Sequence, residues 1–200
     1  MSPLEASPLP SRGAPRTGTS PESRNLVNGR VHISEYDAKW PYLFKRESEK
    51  VRAALGDRVL LFEHVGSTAV PGMAAKPCVD LLLVVADPAD EPAYLADLEA
   101  AGYSMVIREP DWYEHRVLKG PDINLNLHVF GEGCPEVERM RLFRDHLIAD
   151  ADARERYTAV KRELAERTWS RIQDYSDAKT AIVQQILTEA EARRTALSAG

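Results

Sequence analysis

The sequence is short of cysteine, of excess basic charge and of long apolar runs. Its two cysteines, Cys78 and Cys134, lack the CxxC spacing of a zinc or redox motif. We expect two reduced thiols in a cytoplasmic protein, with a single disulfide open as the alternative. Lys and Arg number 26 against 31 Asp and Glu, a net charge of −5, which argues against a dedicated nucleic-acid-binding protein. No apolar stretch approaches the roughly 18 residues of a membrane span, so no membrane partner is expected.

The first 28 residues differ in composition from the rest of the chain. Residues 1–28 are rich in Pro, Ser, Gly and Arg, and such a segment buries too little apolar surface to offset its ordering entropy. We expect a disordered tail without a signal-peptide core, or a misassigned start codon. Residues 29–196 are expected to form one domain, because a chain of 200 residues with 44% hydrophobic content is sufficient for one core.

Periodicity predicts a mixed α/β fold with a βαβ start, a β-meander and C-terminal helices. Apolar residues at helical spacing predict helices, and continuous or alternating apolar runs predict strands. The predicted helices cover about residues 37–55, 87–101, 135–148, 151–168 and 177–195. The predicted strands cover about residues 59–65, 78–85, 103–108, 112–118 and 123–130. Since only helices follow residue 135, we expect a mixed sheet packed against C-terminal helices.

A small-residue turn lies between the first two predicted strands, and a carboxylate lies within the second. Gly66-Ser67-Thr68 follows the first strand, and Asp80 lies near the start of the second. Such a turn binds phosphate oxygens well, because glycine permits close approach of the backbone and the hydroxyls donate hydrogen bonds. An ordinary capped turn is the alternative. Together with the flanking strands, the arrangement is typical of a nucleotidyltransferase-like site.

Asp80 is the one acidic residue of the predicted strand 78–85. A buried carboxylate needs a metal ion, a cation or backbone donors. We therefore expect Asp80 to be a ligand of Mg²⁺ that bridges substrate phosphates, with a salt bridge to Lys76 as the alternative. Nucleotidyl transfer with two metal ions normally uses two or three carboxylates, and the residue two positions on is Leu82, so the strand has no Asp-x-Asp motif.

Histidine and asparagine side chains extend this polar set. His64 precedes the turn by two residues, and His128 shares a predicted strand face with Asn124 and Asn126. We expect His64 and His128 to lie on neighbouring strands. If the strand face that carries His128, Asn124 and Asn126 is turned to the cleft, these side chains would form a polar floor for a ligand. Histidines that are simply satisfied within the core are the alternative.

Three cationic residues are candidates for contacts with phosphate. Lys76 precedes Pro77, which holds it extended at the mouth of the second strand. Arg144 and Lys161 lie on predicted C-terminal helices and would form a cationic wall opposite the turn. Pairing of Arg144 with Asp145 on a solvated helix face is the alternative.

The run from His64 to Asp80, HVGSTAVPGMAAKPCVD, strongly resembles the signature of the GrpB (UPF0157) family, which looks like a branch of the nucleotidyltransferase superfamily. The resemblance covers about Ser34 to Ala192 and continues in Asn126-Leu127-His128-Val129-Phe130, in residues 142–147, and at Tyr157, Lys161 and Lys179. It implies a nucleotidyltransferase-type βαβ core with Gly66-Ser67 as the phosphate turn and Asp80 as the remaining strand carboxylate. GrpB-like domains are also found fused to dephospho-CoA kinase, which suggests a link to coenzyme A metabolism.

Two functions are carried forward as hypotheses. In the first, the protein transfers a nucleotidyl group from a nucleoside triphosphate to a small molecule or protein, with Asp80 and Lys76 catalytic and Mg²⁺ on Asp80. In the second, the same site binds a nucleotide or another phosphorylated metabolite without catalysis. A partner-binding scaffold is a third reading. The residues expected to bind the ligand are His64, Gly66, Ser67, Thr68, Asn126, His128, Arg144 and Lys161.

Overall fold

Five strands form one mixed sheet in the computed structural model, which describes residues 26–198. The strands are β1 Leu61–Val65, β2 Val79–Val85, β3 Ser104–Glu109, β4 His115–Lys119 and β5 Leu125–Gly131, in the order β1-β2-β5-β4-β3. The helices are α1 Lys39–Leu55, α2 Leu95–Ala100, α3 Pro135–Ala149, α4 Ala151–Ala165, α5 Ile172–Asp177 and α6 Thr180–Ser198. The expected mixed sheet with C-terminal helices is confirmed. Most of the predicted N-terminal tail lies outside the described residues.

The connections between strands determine the directions in which the strands pair. β1 and β2 pair antiparallel, because residues 66–78 between them hold a short 3₁₀ helix, Ser67–Ala69, and no crossover helix. β2 pairs parallel with β5, and the chain between these two strands forms α2, β3 and β4. The parallel pair of the core is therefore β2 with β5, and β1 lies at one edge of the sheet.

Strand β2 is covered on both faces. Leu81 and Leu83 belong to the core beneath α1 and α2, while Leu82 and Val84 pack with residues of α3. The continuous apolar run of this strand thus reflects burial on two sides, as its sequence predicts. Asp80 is the one residue of β2 that is not fully buried, so the polar chemistry of the strand is concentrated there.

Helix α1 and strand β5 bury the faces that their periodicity predicts. One core cluster contains Trp40, Val51 and Leu55 of α1 together with Leu125, Leu127 and Val129 of β5. The alternation of β5 leaves Asn126 and His128 on the opposite face of the sheet, which they share with Asp80. None of the helices within residues 26–198 is long and apolar enough to cross a membrane.

Two of the predicted helices are interrupted. The segment predicted as a helix over 87–101 forms the 3₁₀ helix Glu91–Ala93 and then α2, because Pro92 has no N–H group with which to continue an α-helical ladder. The predicted helix 177–195 is displaced, since α5 ends before it and α6 begins after a short turn that contains Lys179. This turn places the Lys179 ammonium 4.5 Å from the centre of the Tyr175 ring.

A buried hydrogen bond joins α1 to the start of β3 and provides a test of the packing. The Tyr103 hydroxyl donates to Oε2 of Glu47 at 2.5 Å, and Glu47 is 0% exposed. Tyr103→Phe leaves this carboxylate short of one donor, so we expect the free energy of unfolding in urea to fall by about 1–3 kcal/mol. Tyr113→Phe, at a ring that is 48% exposed, is the control. Equal losses in the two variants would contradict this reading.

Candidate functional site

Asp80 lies at the centre of a polar cluster on one face of the sheet. Its Oδ1 accepts a hydrogen bond from Nδ2 of Asn126 at 2.7 Å and lies 3.7 Å from Nε2 of His128. Both partners come from β5, because the parallel register sets Asp80 beside Asn126 and Leu82 beside His128. Burial would raise the pKa of Asp80, but His128, Lys76 and Asn126 favour the ionised form and lower the pKa to about 2. Asp80 is therefore a carboxylate at neutral pH.

The glycine-serine turn packs directly against this carboxylate. Gly66 has a φ of +69°, and a Cβ atom built there would lie 2.7 Å from Oδ2 of Asp80. Glycine alone meets both the backbone and the space requirement. The next residue, Ser67, begins the 3₁₀ helix, and its half-buried side chain hydrogen-bonds with the hydroxyl of Tyr157 from α4. The turn, the carboxylate and helix α4 therefore meet at one place.

Three lysines add positive charge around the carboxylate. Lys161 of α4 is 2% exposed, and its Nζ donates to the carbonyl of Ala74 at 2.5 Å. Burial, with the nearby charge of Lys179, lowers the pKa of Lys161 to about 7. Burial, with the charge of Lys76, lowers the pKa of Lys179 to about 8. The structure thus brings Lys76 and Lys161 into one cluster of like charges around Lys179, in which Lys76 and Lys179 are the lysines whose charges act on Asp80.

A chain of hydrogen bonds runs from His128 to the next strand of the sheet. Nδ1 of His128 lies 3.0 Å from Nε2 of His115, and Nδ1 of His115 lies 2.8 Å from Oε2 of Glu109. The Glu109 carboxylate accepts from Nδ1 of His115, which fixes the orientation of the His115 ring beside His128. The ring of Phe130 stacks on His115 at 4.5 Å. This arrangement holds His128 with Nε2 turned to Asp80.

His64 and Thr68 do not join this cluster. The prediction that His64 and His128 lie on neighbouring strands is wrong, because β2 pairs along both of its edges and separates β1 from β5. His64 faces α1 instead, where its ring stacks on Phe44 at 5.2 Å and its Nε2 lies 2.9 Å from Oγ1 of Thr68. Burial lowers the pKa of His64 to about 4, so the ring is neutral and satisfied by a threonine.

Arg144 of α3 is engaged by β1 rather than by the turn. Its guanidinium donates to Glu63 at 2.6 Å, to the carbonyl of His64 at 2.9 Å and to Asp145 at 2.7 Å. The alternative pairing with Asp145 is therefore present, and a phosphate would have to displace two carboxylates to reach this guanidinium. The groove beside it has a volume of about 460 Å³ and is lined by Phe44, Phe62, Glu63, His64, Ala69, Arg144, Asp145 and Ile148.

Comparison with known proteins places the chain in a family. The family model described as "GrpB protein" matches residues 30–189. A UPF0157 protein of Halalkalibacterium halodurans is 53% identical over 165 residues, which is 82% of this chain and 85% of that protein. The chain belongs to the GrpB family.

Two further matches describe the range of GrpB relatives. The crystal structure of the conserved protein GrpB from Enterococcus faecalis aligns with a TM-score of 0.72 at 28% identity, over 82% of this chain and 99% of that chain. A dephospho-CoA kinase of Mycolicibacterium paratuberculosis is 30% identical over 183 residues, which is 78% of this chain and 45% of that protein. The fold is thus that of GrpB, and it also forms part of longer proteins.

Two residues of this GrpB site escaped the sequence analysis. Lys119, at the end of β4, donates a hydrogen bond to Oδ1 of Asn126, and His115 contacts His128. The predicted strand 112–118 includes His115 but ends before Lys119, whereas β4 includes both residues, an even number of positions apart and therefore on one face. Their partners depend on how β4 pairs with β5, and that register is formed by contacts that no local motif specifies.

Asp80 is the carboxylate that would hold Mg²⁺ in this cluster. Mg²⁺ takes oxygen ligands in octahedral geometry, and beside substrate phosphates it is usually held by one or two carboxylates together with waters. Within residues 26–198, no group of three or more His, Cys, Asp or Glu side chains is arranged to hold a metal ion. Asn126 turns its NH₂ group to Asp80 and its oxygen to Lys119, so this amide adds no oxygen ligand. Mg²⁺ therefore stays a prediction of the sequence.

The contact between Gly66 and Asp80 can be measured with a matched pair of glycines. Gly66 and Gly72 both have positive φ, but only at Gly66 does an added Cβ meet a neighbour within 4 Å. Both Gly66→Ala and Gly72→Ala carry backbone strain of about 1–3 kcal/mol, and Gly66, with a ψ of −169°, lies in a region that is essentially restricted to glycine. We expect Gly66→Ala to lose about 1–3 kcal/mol more in urea unfolding, because its methyl group displaces the carboxylate. Equal losses would show that Asp80 moves aside without cost.

The low pKa of Asp80 predicts how its contribution to stability depends on pH. The pKa is about 2 in the folded protein and about 3.9 in an unfolded chain, so ionised Asp80 stabilises the fold above pH 4 and loses this effect as the pH falls to 2. We expect the difference in unfolding free energy between wild type and Asp80→Asn to shrink by about 2 kcal/mol between pH 5 and pH 2. A difference that is constant over this range would contradict the assignment.

Proposed function

We propose that the protein binds a nucleotide or a comparable phosphorylated small molecule at the polar cluster around Asp80. The observation that carries this proposal is a group of four lysines near the Gly66–Ser67 turn and the polar cluster of Asp80. The four are Lys76, Lys119, Lys161 and Lys179. When all four are protonated, these lysines outnumber the one carboxylate, in a chain whose net charge is −5. A local excess of positive charge in an acidic protein attracts an anionic ligand.

The turn supplies the polar contacts that complement these charges. Gly66 has no side chain, so a phosphate group can approach the backbone beside Asp80 closely. The hydroxyl of Ser67 donates a hydrogen bond, and Tyr157 lies next to it. A phosphate placed between the turn and α4 would therefore have both a hydroxyl donor and the ammonium of Lys161 nearby.

The comparisons widen the range of ligands that this proposal covers. The chain matches 45% of a protein named dephospho-CoA kinase. Coenzyme A and its precursors carry phosphate esters and a nucleotide, so the same cluster of lysines would recognise their phosphate groups. Nucleoside triphosphates and coenzyme A precursors are thus the two classes of ligand to compare.

Nucleotidyl transfer is the second candidate function. It is favoured by the position of Asp80, an ionised carboxylate whose Oδ2 lies against the turn, as the resemblance to the nucleotidyltransferase superfamily implies. In such a reaction, an acceptor atom bonds to the α-phosphorus while the bond to pyrophosphate breaks. The lysines would neutralise charge on the departing pyrophosphate. Release of pyrophosphate from a nucleoside triphosphate, lost in Asp80→Asn, would identify this activity.

Calorimetric titration with ATP and with dephospho-CoA tests the binding proposal. We expect binding by the wild type and a loss of affinity of about tenfold to a hundredfold in Ser67→Ala, because a hydrogen bond to a charged group contributes about 1.5–3 kcal/mol. Ser104→Ala, at an exposed serine on β3, is the matched control and should bind as the wild type does.

Two results would overturn the proposal. One is the absence of heat with either ligand in the wild type. The other is binding that is unchanged both in Ser67→Ala and in Lys161→Met, since those two residues border the place assigned to the phosphate. Circular dichroism of each variant distinguishes loss of a contact from loss of the fold.

A further inference from the structure

Three of the four lysines at this site lack a carboxylate partner within residues 26–198. In the part of the chain that the structure describes, no carboxylate lies within ion-pair distance of Lys76, Lys161 or Lys179. Lys161 is 2% exposed and has the carbonyl of Ala74 and the Tyr157 ring, at 4.9 Å, as its neighbours. An ammonium ion buried without a counter-ion costs several kcal/mol. A ligand that carries negative charge would offset this cost.

One oxygen of the carboxylate is engaged by a protein donor, and the other lies beside the turn. Oδ1 of Asp80 accepts from Asn126 at 2.7 Å, and Oδ2 lies against the backbone of Gly66. The oxygen of Asn126 accepts from Lys119. A divalent cation at Oδ1 would have to displace the amide of Asn126, and it would stand among positive charges, which repel it.

The two observations together point to one species of ligand. We infer that the site binds its phosphorylated ligand as a metal-free anion, with Lys76, Lys119, Lys161 and Lys179 in the place of a divalent cation. The inference rests on the proposed function and adds to it that the ligand is the free phosphate anion rather than its magnesium complex. Depression of the pKa of Lys161 to about 7 by burial is the mark of a group that lacks an anionic partner.

This inference assigns to Asp80 a role opposite to that of a metal ligand. Asp80 lies close to Lys76 and Lys179 and moderates the repulsion between them. Its charge therefore opposes the approach of a phosphate. Removal of this charge should strengthen the binding of an anion, whereas removal of a metal ligand should weaken it.

The experiment is a calorimetric titration of the full chain with ATP and with inorganic tripolyphosphate, each in excess EDTA and in excess MgCl₂. We expect binding in EDTA that is at least as tight as in MgCl₂. We expect Asp80→Asn to bind tripolyphosphate about threefold to tenfold more tightly in EDTA. Lys161→Met and Lys119→Met should each bind about tenfold or more weakly, while Lys45→Met, at an exposed lysine on α1, should bind as the wild type does.

The outcomes separate this inference from the proposed function. Binding of ATP in MgCl₂ that vanishes in EDTA would overturn the inference and leave the proposed function standing. Loss of binding in a folded Asp80→Asn variant would also overturn the inference, since a metal ligand behaves in that way. Absence of binding under both conditions would overturn the inference together with the function on which it rests.

Discussion

The ionised carboxylate of Asp80, at the one half-exposed position of a strand that is otherwise buried, is the constraint on which the site depends. A charge at this depth needs donors, and β5 supplies them through Asn126 and His128. It also needs space, and Gly66 leaves it by having no side chain. The needs of the carboxylate account for the residue type at each of these three positions, whereas apolar packing in the core does not.

The parallel pairing of β2 with β5 converts this local need into a geometry for the whole domain. In two parallel strands, residues that pair in register point to the same face of the sheet. Asn126 pairs with Asp80 and His128 pairs with Leu82, so both polar side chains share the face of Asp80. Strand β4 then adds His115 and Lys119 beyond them. On the other side, α4 and the turn before α6 close over the same place with Lys161 and Lys179. The site is assembled from elements far apart in the chain, which explains why it requires the complete sheet.

The sequence could predict the local part of this arrangement and not the long-range part. The apolar run of β2, the alternation of β5 and the adjacency of Gly66 to Asp80 follow from period, turn chemistry and a continuous motif. The order of the strands does not, so His64 and His128 were expected on neighbouring strands although β2 lies between them. Similarly, the charge of Arg144 is visible in the sequence, but its partner Glu63 on β1 is not. Long-range pairing determined each of these results, and no local pattern encodes it.

The cluster of lysines is better explained by a ligand than by stability. The pKa of Lys161 is about 7 in the folded protein and about 10.4 in an unfolded chain, so the unfolded state binds more protons between these values. Stability gained from this group therefore rises as the pH increases from 7 to 10, and the charged form of Lys161 weakens the fold at neutral pH. A methionine would fill the same space beside Tyr157 without that cost. The proposed anionic ligand would complement this destabilising ammonium, which is 2% exposed and lies close to the Gly66–Ser67 turn.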